Sequence, residues 1–432
     1  MPDDLLFTTR REFLSGSLTL LSTAGTLPVF LAQASRALAG PEPQAKPRDD
    51  AQRILVVVQL AGGNDGLNTV VPYEMDPYYK LRRTLAIPKD KVLKLEQGVG
   101  LHPAATGLKE LFDDGKLAIV QGVGYPNPDR SHFTSTDIWQ TADPALRMHA
   151  GWLGRYFDSC CSGADPDPEP INGIALTQEA PLALQGERFV PLAFESPEAL
   201  TWRAAARDRK AAEVFRKLNN MTADAAAAGA EETPDDFAAW LQRAALKAQI
   251  GADQIRSAAG SGGGRAGRRP DRGGQLGRSL DLVARMIASD LPTRVYYVSM
   301  GGFDTHTGQD GRHQRLMQEL GDSMKSFLDD LAGKRLLDRV LVMTFSEFGR
   351  RVEENASGGT DHGEAAPMFL FGSRLRPGLH GPHPDLTKLH RGDLAFGCDF
   401  RRVYAAVLRD WLDLKPDRVL KGNFQPLKLF KT

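Results

Sequence analysis

Cysteine is scarce in this chain. Only Cys160, Cys161 and Cys398 occur among its 432 residues. Three thiols are too few for a disulfide framework or a thiolate zinc cluster, and no haem or iron–sulfur spacing is present. Adjacent cysteines rarely bridge each other, so the thiols read as buried side chains. One long-range bridge, Cys161 to Cys398, stays open for an oxidising compartment. An excess of one charge sign is missing too. Basic and acidic residues number 54 each, for a formal net charge of zero, which argues against the basic face of a nucleic-acid binder. Only one apolar run, close to the N-terminus, approaches membrane-crossing length. There is no internal repeat, and the glycines of Gly62-Gly63-Asn64-Asp65-Gly66 lack the G-x-G-x-x-G spacing of a dinucleotide fingerprint. What remains is ordinary for a soluble globular protein, with 41% hydrophobic and 25% charged residues. The length allows one large domain or two or three smaller ones.

The N-terminus is patterned. Thr8-Thr9-Arg10-Arg11-Glu12-Phe13-Leu14 leads into a moderately apolar run, about Leu18 to Leu31, and then into Ala37-Leu38-Ala39. A charged start, an apolar stretch and a small-x-small site are the parts of an export signal. The paired arginines before Phe-Leu make it a twin-arginine signal. The expectation is a signal peptide over residues 1–39, cleavage near Ala39, and passage through the twin-arginine export machinery to the periplasm or beyond. No membrane span is expected to remain after cleavage. Proteins exported this way cross folded, a route that suits chains that load a metal or cofactor first.

The body begins with Arg53-Ile54-Leu55-Val56-Val57-Val58-Gln59-Leu60, a β-branched run that reads as a strand buried on both faces. It ends in glycines and Asp65. A short helix (Leu108 to Phe112) and a strand (Lys116 to Val123) follow, and then Asp129-Arg130-Ser131-His132-Phe133. Ser131 precedes a helical stretch, His132 to Thr141, and fits an N-cap; the same place aims its hydroxyl and the helix-start amides at an anion. Between about 200 and 275 the chain is Ala-rich and charged, with peripheral helices at Trp202 to Leu218 and Phe237 to Ile255. A Gly/Arg-rich segment, Gly260 to Gly274, reads as a surface loop. This stretch is expected to be an insertion in a single domain spanning 40–432.

Core pattern then returns. A helix at Leu280 to Ile287 precedes a strand, Thr293 to Met300, which ends in Gly301-Gly302-Phe303-Asp304-Thr305-His306. A long amphipathic helix, about Gln309 to Leu331, leads to the strand Asp338 to Phe345, which ends at Glu347 and Arg350. The loop Gly359-Thr360-Asp361-His362-Gly363-Glu364 follows, then a strand, Pro367 to Gly372, and a closing helix, Phe400 to Leu412. Strands alternating with helices imply an α/β fold, a mostly parallel sheet with helices on both faces. Asp65, Asp304, His306, Glu347, Asp361 and His362 are thereby expected along one sheet edge. Carboxylates and imidazoles gathered there repel one another unless a cation holds them. Mixed Asp/His ligation suits zinc, manganese or iron, and the small residues around Asp361 would let that loop come close to the metal.

These segments carry a resemblance. The twin-arginine start, Ala61-Gly62-Gly63-Asn64-Asp65-Gly66-Leu67-Asn68-Thr69-Val70-Val71-Pro72-Tyr73, Asp129 to Phe133, Gly301 to His306, Ser346-Glu347-Phe348-Gly349-Arg350 and Gly359 to Gly363 resemble, in this order, the DUF1501 family of exported bacterial proteins. It covers nearly the whole mature chain. That family is grouped with the alkaline phosphatase/sulfatase-like superfamily, so the resemblance implies an alkaline phosphatase-like fold and a site with one or two divalent ions, zinc or manganese. Asp65, Thr360-Asp361-His362-Gly363, Asp304 and His306 match metal-binding positions, and Ser131 matches the nucleophile. Thr134 and Ser135 are rival hydroxyls. No cysteine stands there, so a formylglycine made from cysteine is excluded at that site. His380 and His383 lie in the part of the chain where a last ligand histidine is expected. The reaction implied is hydrolysis of a phosphate or sulfate ester on an anionic small molecule or polysaccharide. Ser131 would attack, Arg350 or Arg130 would hold the anion, His132 would act as acid or base, and Glu347 would ligate or orient a ligand. Two other readings stay open: a non-catalytic exported binding or assembly protein on the same fold, and a redox metalloprotein, which the missing cofactor cysteines disfavour.

Overall fold

The protein is described from a computed structural model covering residues 53–160, 170–200, 251–260 and 274–431. The expected signal peptide, Cys161 and most of the expected insertion lie outside these residues. Of that insertion, Ile255 and Ala258 pack into the main core.

Among the described residues, nine strands form the central sheet. They are β1 (Ile54–Leu60), β2 (Leu117–Gly124), β3 (Gly173–Leu176), β4 (Leu192–Ala193), β5 (Val295–Met300), β6 (Val340–Phe345), β7 (Ala366–Phe371), β8 (Gly378–His380) and β9 (Cys398–Asp399). Their order is β8-β2-β7-β6-β1-β5-β3-β4, with β9 also paired to β2. All these pairings are parallel except those of β7, which runs antiparallel to β2 and to β6. The architecture is α/β, and the mostly parallel sheet expected from the strand–helix alternation is present.

Alternation within β1 shows why the sheet carries helices on both faces. Ile54, Val56 and Val58 join one core with helices α1 (Thr106–Asp113), α4 (Gly274–Ala288) and α5 (Gln309–Gly333). Leu55 and Val57 join the other, with α2 (His132–Thr141), α3 (Trp152–Cys160) and α6 (Phe400–Ala406). A strand with both faces covered must be apolar throughout, and I-L-V-V-V reads so. The closing helix expected as one piece breaks, because α6 passes into a π-helical turn at Val407–Trp411.

The parallel register of β6, β1 and β5 is what positions the site. Gln59 pairs with Ser299 on one side and with Phe345 on the other, so the three strands end level with one another. The loops leaving them therefore emerge side by side at one sheet edge, where ligands bind in open α/β sheets. Cys398 is a free thiol. It is buried, and burial raises its thiol to about 11; Cys161, the other half of the bridge left open, lies outside the described residues.

Candidate metal centre

Four side chains meet at this edge. His132, Asp304 and His362 each offer an atom able to ligate a metal, and the three atoms lie within 4.8 Å of one another. His306 joins them. Its Nε2 stands 2.9 Å from His362 Nε2 and 3.2 Å from Asp304 Oδ1. His362 Nε2 is 3.5 Å from the same Asp304 oxygen, and His132 Nε2 is 3.7 Å from Asp304 Oδ2. The buried Phe348 ring packs against both His132 and His362, with centroids 4.9 and 4.4 Å away, and limits their tilt.

The outward-facing nitrogen of each histidine is already engaged. His132 Nδ1 lies 2.9 Å from Glu347 Oε1, His306 Nδ1 lies 2.9 Å from Asp361 Oδ1, and His362 Nδ1 lies 2.7 Å from the Arg130 carbonyl oxygen. Those oxygens only accept, so each Nδ1 carries the proton in the neutral ring. Each Nε2 is then a lone pair turned inward. Two such lone pairs face each other across 2.9 Å between His306 and His362, beside the Asp304 carboxylate. With both rings neutral this arrangement is repulsive unless a proton or a metal ion lies between the nitrogens. A histidine bound to metal through Nε2, with its Nδ1–H fixed on a carboxylate or carbonyl, has this same pattern.

The electrostatics agree. Burial works to raise the Asp304 pKa, but the hydrogen bond and charge of Arg350, with His306 and His132, bring it below the usual value. Asp361 is lowered by its hydrogen bonds with His306 and Asn355. Burial lowers His362, against the pull of the Arg130 carbonyl, which keeps the ring neutral and able to ligate.

Several expectations need correction. Asp65 is not in the cluster. It is fully buried, caps the one-turn helix Gly66–Thr69 through Leu67 N, and pairs with Arg82 Nη1 at 2.5 Å. In the interior its charge is already met by Arg82, which is 17 positions away and gives no local sign of the pairing. Arg350 does not hold a substrate anion. It is 1% exposed and donates to the carbonyl oxygens of Gly62, Gly63, Phe303 and Thr360 and to Asp304 Oδ1. Glu347 and Asp361 stand behind the histidines rather than among the inward atoms. Glu347 Oε1 also accepts from Gly62 N at 2.7 Å, while its buried Oε2 has no partner among the described residues. His132, expected as an acid or base, is part of the cluster, with Nδ1 on Glu347 and Nε2 3.7 Å from Asp304 Oδ2.

His380 is bonded to the Arg376 carbonyl and His383 to that of Pro384, away from the cluster. Ser131 is the N-cap residue of α2, but its exposed hydroxyl makes no capping bond. Ser135 is buried, and its hydroxyl donates to the Glu347 carbonyl at 2.5 Å. The small residues of the Asp361 loop let its backbone pack closely against neighbouring backbone. A Cβ at Gly359 would overlap the His306 carbonyl group, and one at Gly363 would overlap the Arg350 backbone. A side chain at Gly359 would push the two ligand-bearing loops apart, and one at Gly363 would distort the loop after β6 internally. Sequence reading missed Arg82 and Gln309 as partners of Asp65. The one signal for Gln309 was a polar residue opening a long helix three positions after His306.

Among solved structures, the chain is similar to the PsFucS1 sulfatase from Pseudoalteromonas sp., at 9% identity and a TM-score of 0.39 over 95% of this chain and 74% of that one. It is similar also to Ps i-CgsB, at 9% identity and a TM-score of 0.38 over 86% and 75%, and to the lipoteichoic acid synthase LtaP from Listeria monocytogenes, at 11% identity and a TM-score of 0.31 over 82% and 73%. These are remote likenesses of overall shape. No curated protein matches the sequence. A family described as "Protein of unknown function (DUF1501)" matches residues 116–421, a span that includes His132, Asp304, His306 and His362. The chain belongs to the DUF1501 family.

Proposed function

We propose that this protein is an exported metal-dependent hydrolase of phosphate or sulfate esters, its metal held by His132, Asp304, His306 and His362. The observation that carries the reading is the inward convergence of three Nε2 lone pairs on a carboxylate, with every Nδ1 already bonded. The donor set suits zinc or manganese. Bound there, a divalent ion supplies Lewis acidity toward an ester oxygen.

The chain's own residues supply the rest. Ser131 presents an exposed hydroxyl with no capping bond one residue before His132, and it is the nucleophile in this reading. Ser135 is buried and its hydroxyl is taken up by the Glu347 carbonyl, which favours Ser131 over it. The first amides of α2, at His132 and Phe133, follow directly on Ser131 and suit the oxygens of a phosphate or sulfate group. Arg350 stabilises Asp304 as a carboxylate rather than touching the ester. Export by the twin-arginine route fits a centre loaded before transport.

The test is metal content by mass spectrometry of protein exported by its native route, for wild type and His362→Ala. One or two equivalents of zinc or manganese in the wild type, lost in the variant, supports the centre. Turnover of phosphate or sulfate esters, lost in Ser131→Ala with metal retained, supports the hydrolase. A metal-loaded protein that cleaves neither ester class would be a binding or assembly protein instead. A wild type that neither carries nor takes up zinc or manganese would end the metal reading.

A further inference from the structure

Asp65 lies outside the cluster but is joined to it through one side chain. Gln309, the first residue of α5, is fully buried. Its Nε2 donates to Asp65 Oδ2. Its Oε1 accepts from Thr305 Oγ1 at 3.0 Å and from Thr360 Oγ1 at 2.6 Å. Thr305 sits between Asp304 and His306, and Thr360 stands two residues before His362. Backbone bonds run alongside: Thr360 N donates to the Thr305 carbonyl at 3.1 Å, and Gln309 N to the Gly358 carbonyl at 2.9 Å.

A side-chain amide can sit either way round, and only its partners decide which. Here the decision is made by charge. Asp65 is ion-paired to the buried Arg82, so its carboxylate only accepts. The NH2 of Gln309 must face it, and the amide oxygen is delivered to the two threonine hydroxyls. One oxygen receiving two hydroxyl protons ties together the two loops that bring His306 and His362 to 2.9 Å. The aspartate that the sequence offers as a ligand instead orients the group that spaces the ligands.

We propose that Gln309 is a positioning residue of the metal centre, oriented by the Asp65–Arg82 pair and setting the separation of His306 and His362 through Thr305 and Thr360. This rests on the metal reading above. The test compares full-length wild type, Thr360→Val, Thr360→Ser and Gln309→Met. Zn2+ affinity is read by competition with a chromogenic chelator, and site geometry by the visible spectrum of the Co2+-loaded protein. Melting in EDTA reports whether each variant folds.

Thr360→Val is nearly isosteric but lacks the hydroxyl, so Zn2+ affinity should fall about tenfold or more and the Co2+ bands should shift. Gln309→Met should do the same. Thr360→Ser keeps the hydroxyl and should restore both readouts. If Gln309→Met does not fold, the two Thr360 variants decide alone. Wild-type affinity and spectrum in Thr360→Val would overturn the clamp while leaving the metal centre standing. Equal weakening in Thr360→Ser and Thr360→Val would overturn it as well. A wild type that binds neither Zn2+ nor Co2+ would remove the clamp together with the centre.

Discussion

Replacing Arg350 with methionine keeps most of the side-chain volume and removes every polar contact it makes. Four backbone carbonyls, those of Gly62, Gly63, Phe303 and Thr360, lose the Arg350 donor, and Asp304 loses its bond of 2.6 Å. A buried acceptor left without a partner costs about 1–3 kcal/mol. Recovering the desolvation cost of the guanidinium offsets part of this, so the lower end is the fair value, about 4 kcal/mol for the four carbonyls. With an unfolding entropy of about 2.1 cal/mol/K per residue, that is a fall in Tm of about 4–5 °C for a chain of this length. Calorimetry in EDTA measures it without a contribution from metal loss. A side chain that clamps substrate would behave otherwise. Arg350→Met would then melt within about a degree of wild type and only raise KM. That result would refute the structural role argued here, and with it the account of how the loops after β1, β5 and β6 are tied together.

Three further outcomes are expected. Ser135→Ala should lower stability by about 1–3 kcal/mol in urea denaturation, because it strips the Glu347 carbonyl of a buried donor, and it should leave Zn2+ uptake intact; unchanged stability with lost turnover would move the nucleophile to Ser135. Gly359→Ala forces a methyl group into the His306 carbonyl, so stability should fall by about 1–3 kcal/mol and Zn2+ affinity with it; a neutral result would show that the loop yields freely. His102 is buried against His313, and burial, with the charge of His313, takes its pKa from 6.5 to about 3. The folded state therefore keeps this ring neutral. Its contribution is fully present above pH 6.5 and is lost as pH falls toward 3, about 2 kcal/mol of it between pH 7 and pH 5. His102→Asn, which preserves an acceptor for Ala104 N, should flatten the loss of urea stability over that interval in EDTA; slopes equal to wild type would count against the buried neutral ring.

What the sequence determined by itself was the layout. The apolar run of β1, the recurrence of glycines and ligand-type residues after strands, and the helix at His132–Thr141 follow from local pattern, because burial on two faces and helix periodicity leave marks within a few residues. Those marks place Asp65, Asp304, His306, Glu347, Asp361 and His362 along one edge. They did not say which atoms turn inward. That depended on partners distant in sequence: Glu347 for His132, Asp361 for His306, and the Arg130 carbonyl for His362. It also depended on Arg82 claiming Asp65 in the interior. A buried carboxylate goes to whichever cation or donor the packed fold brings to it, and only tertiary structure brings Arg82 there. The same holds for Arg350, whose side chain reads in sequence as an anion clamp and in three dimensions is consumed by backbone carbonyls of the loops it holds together.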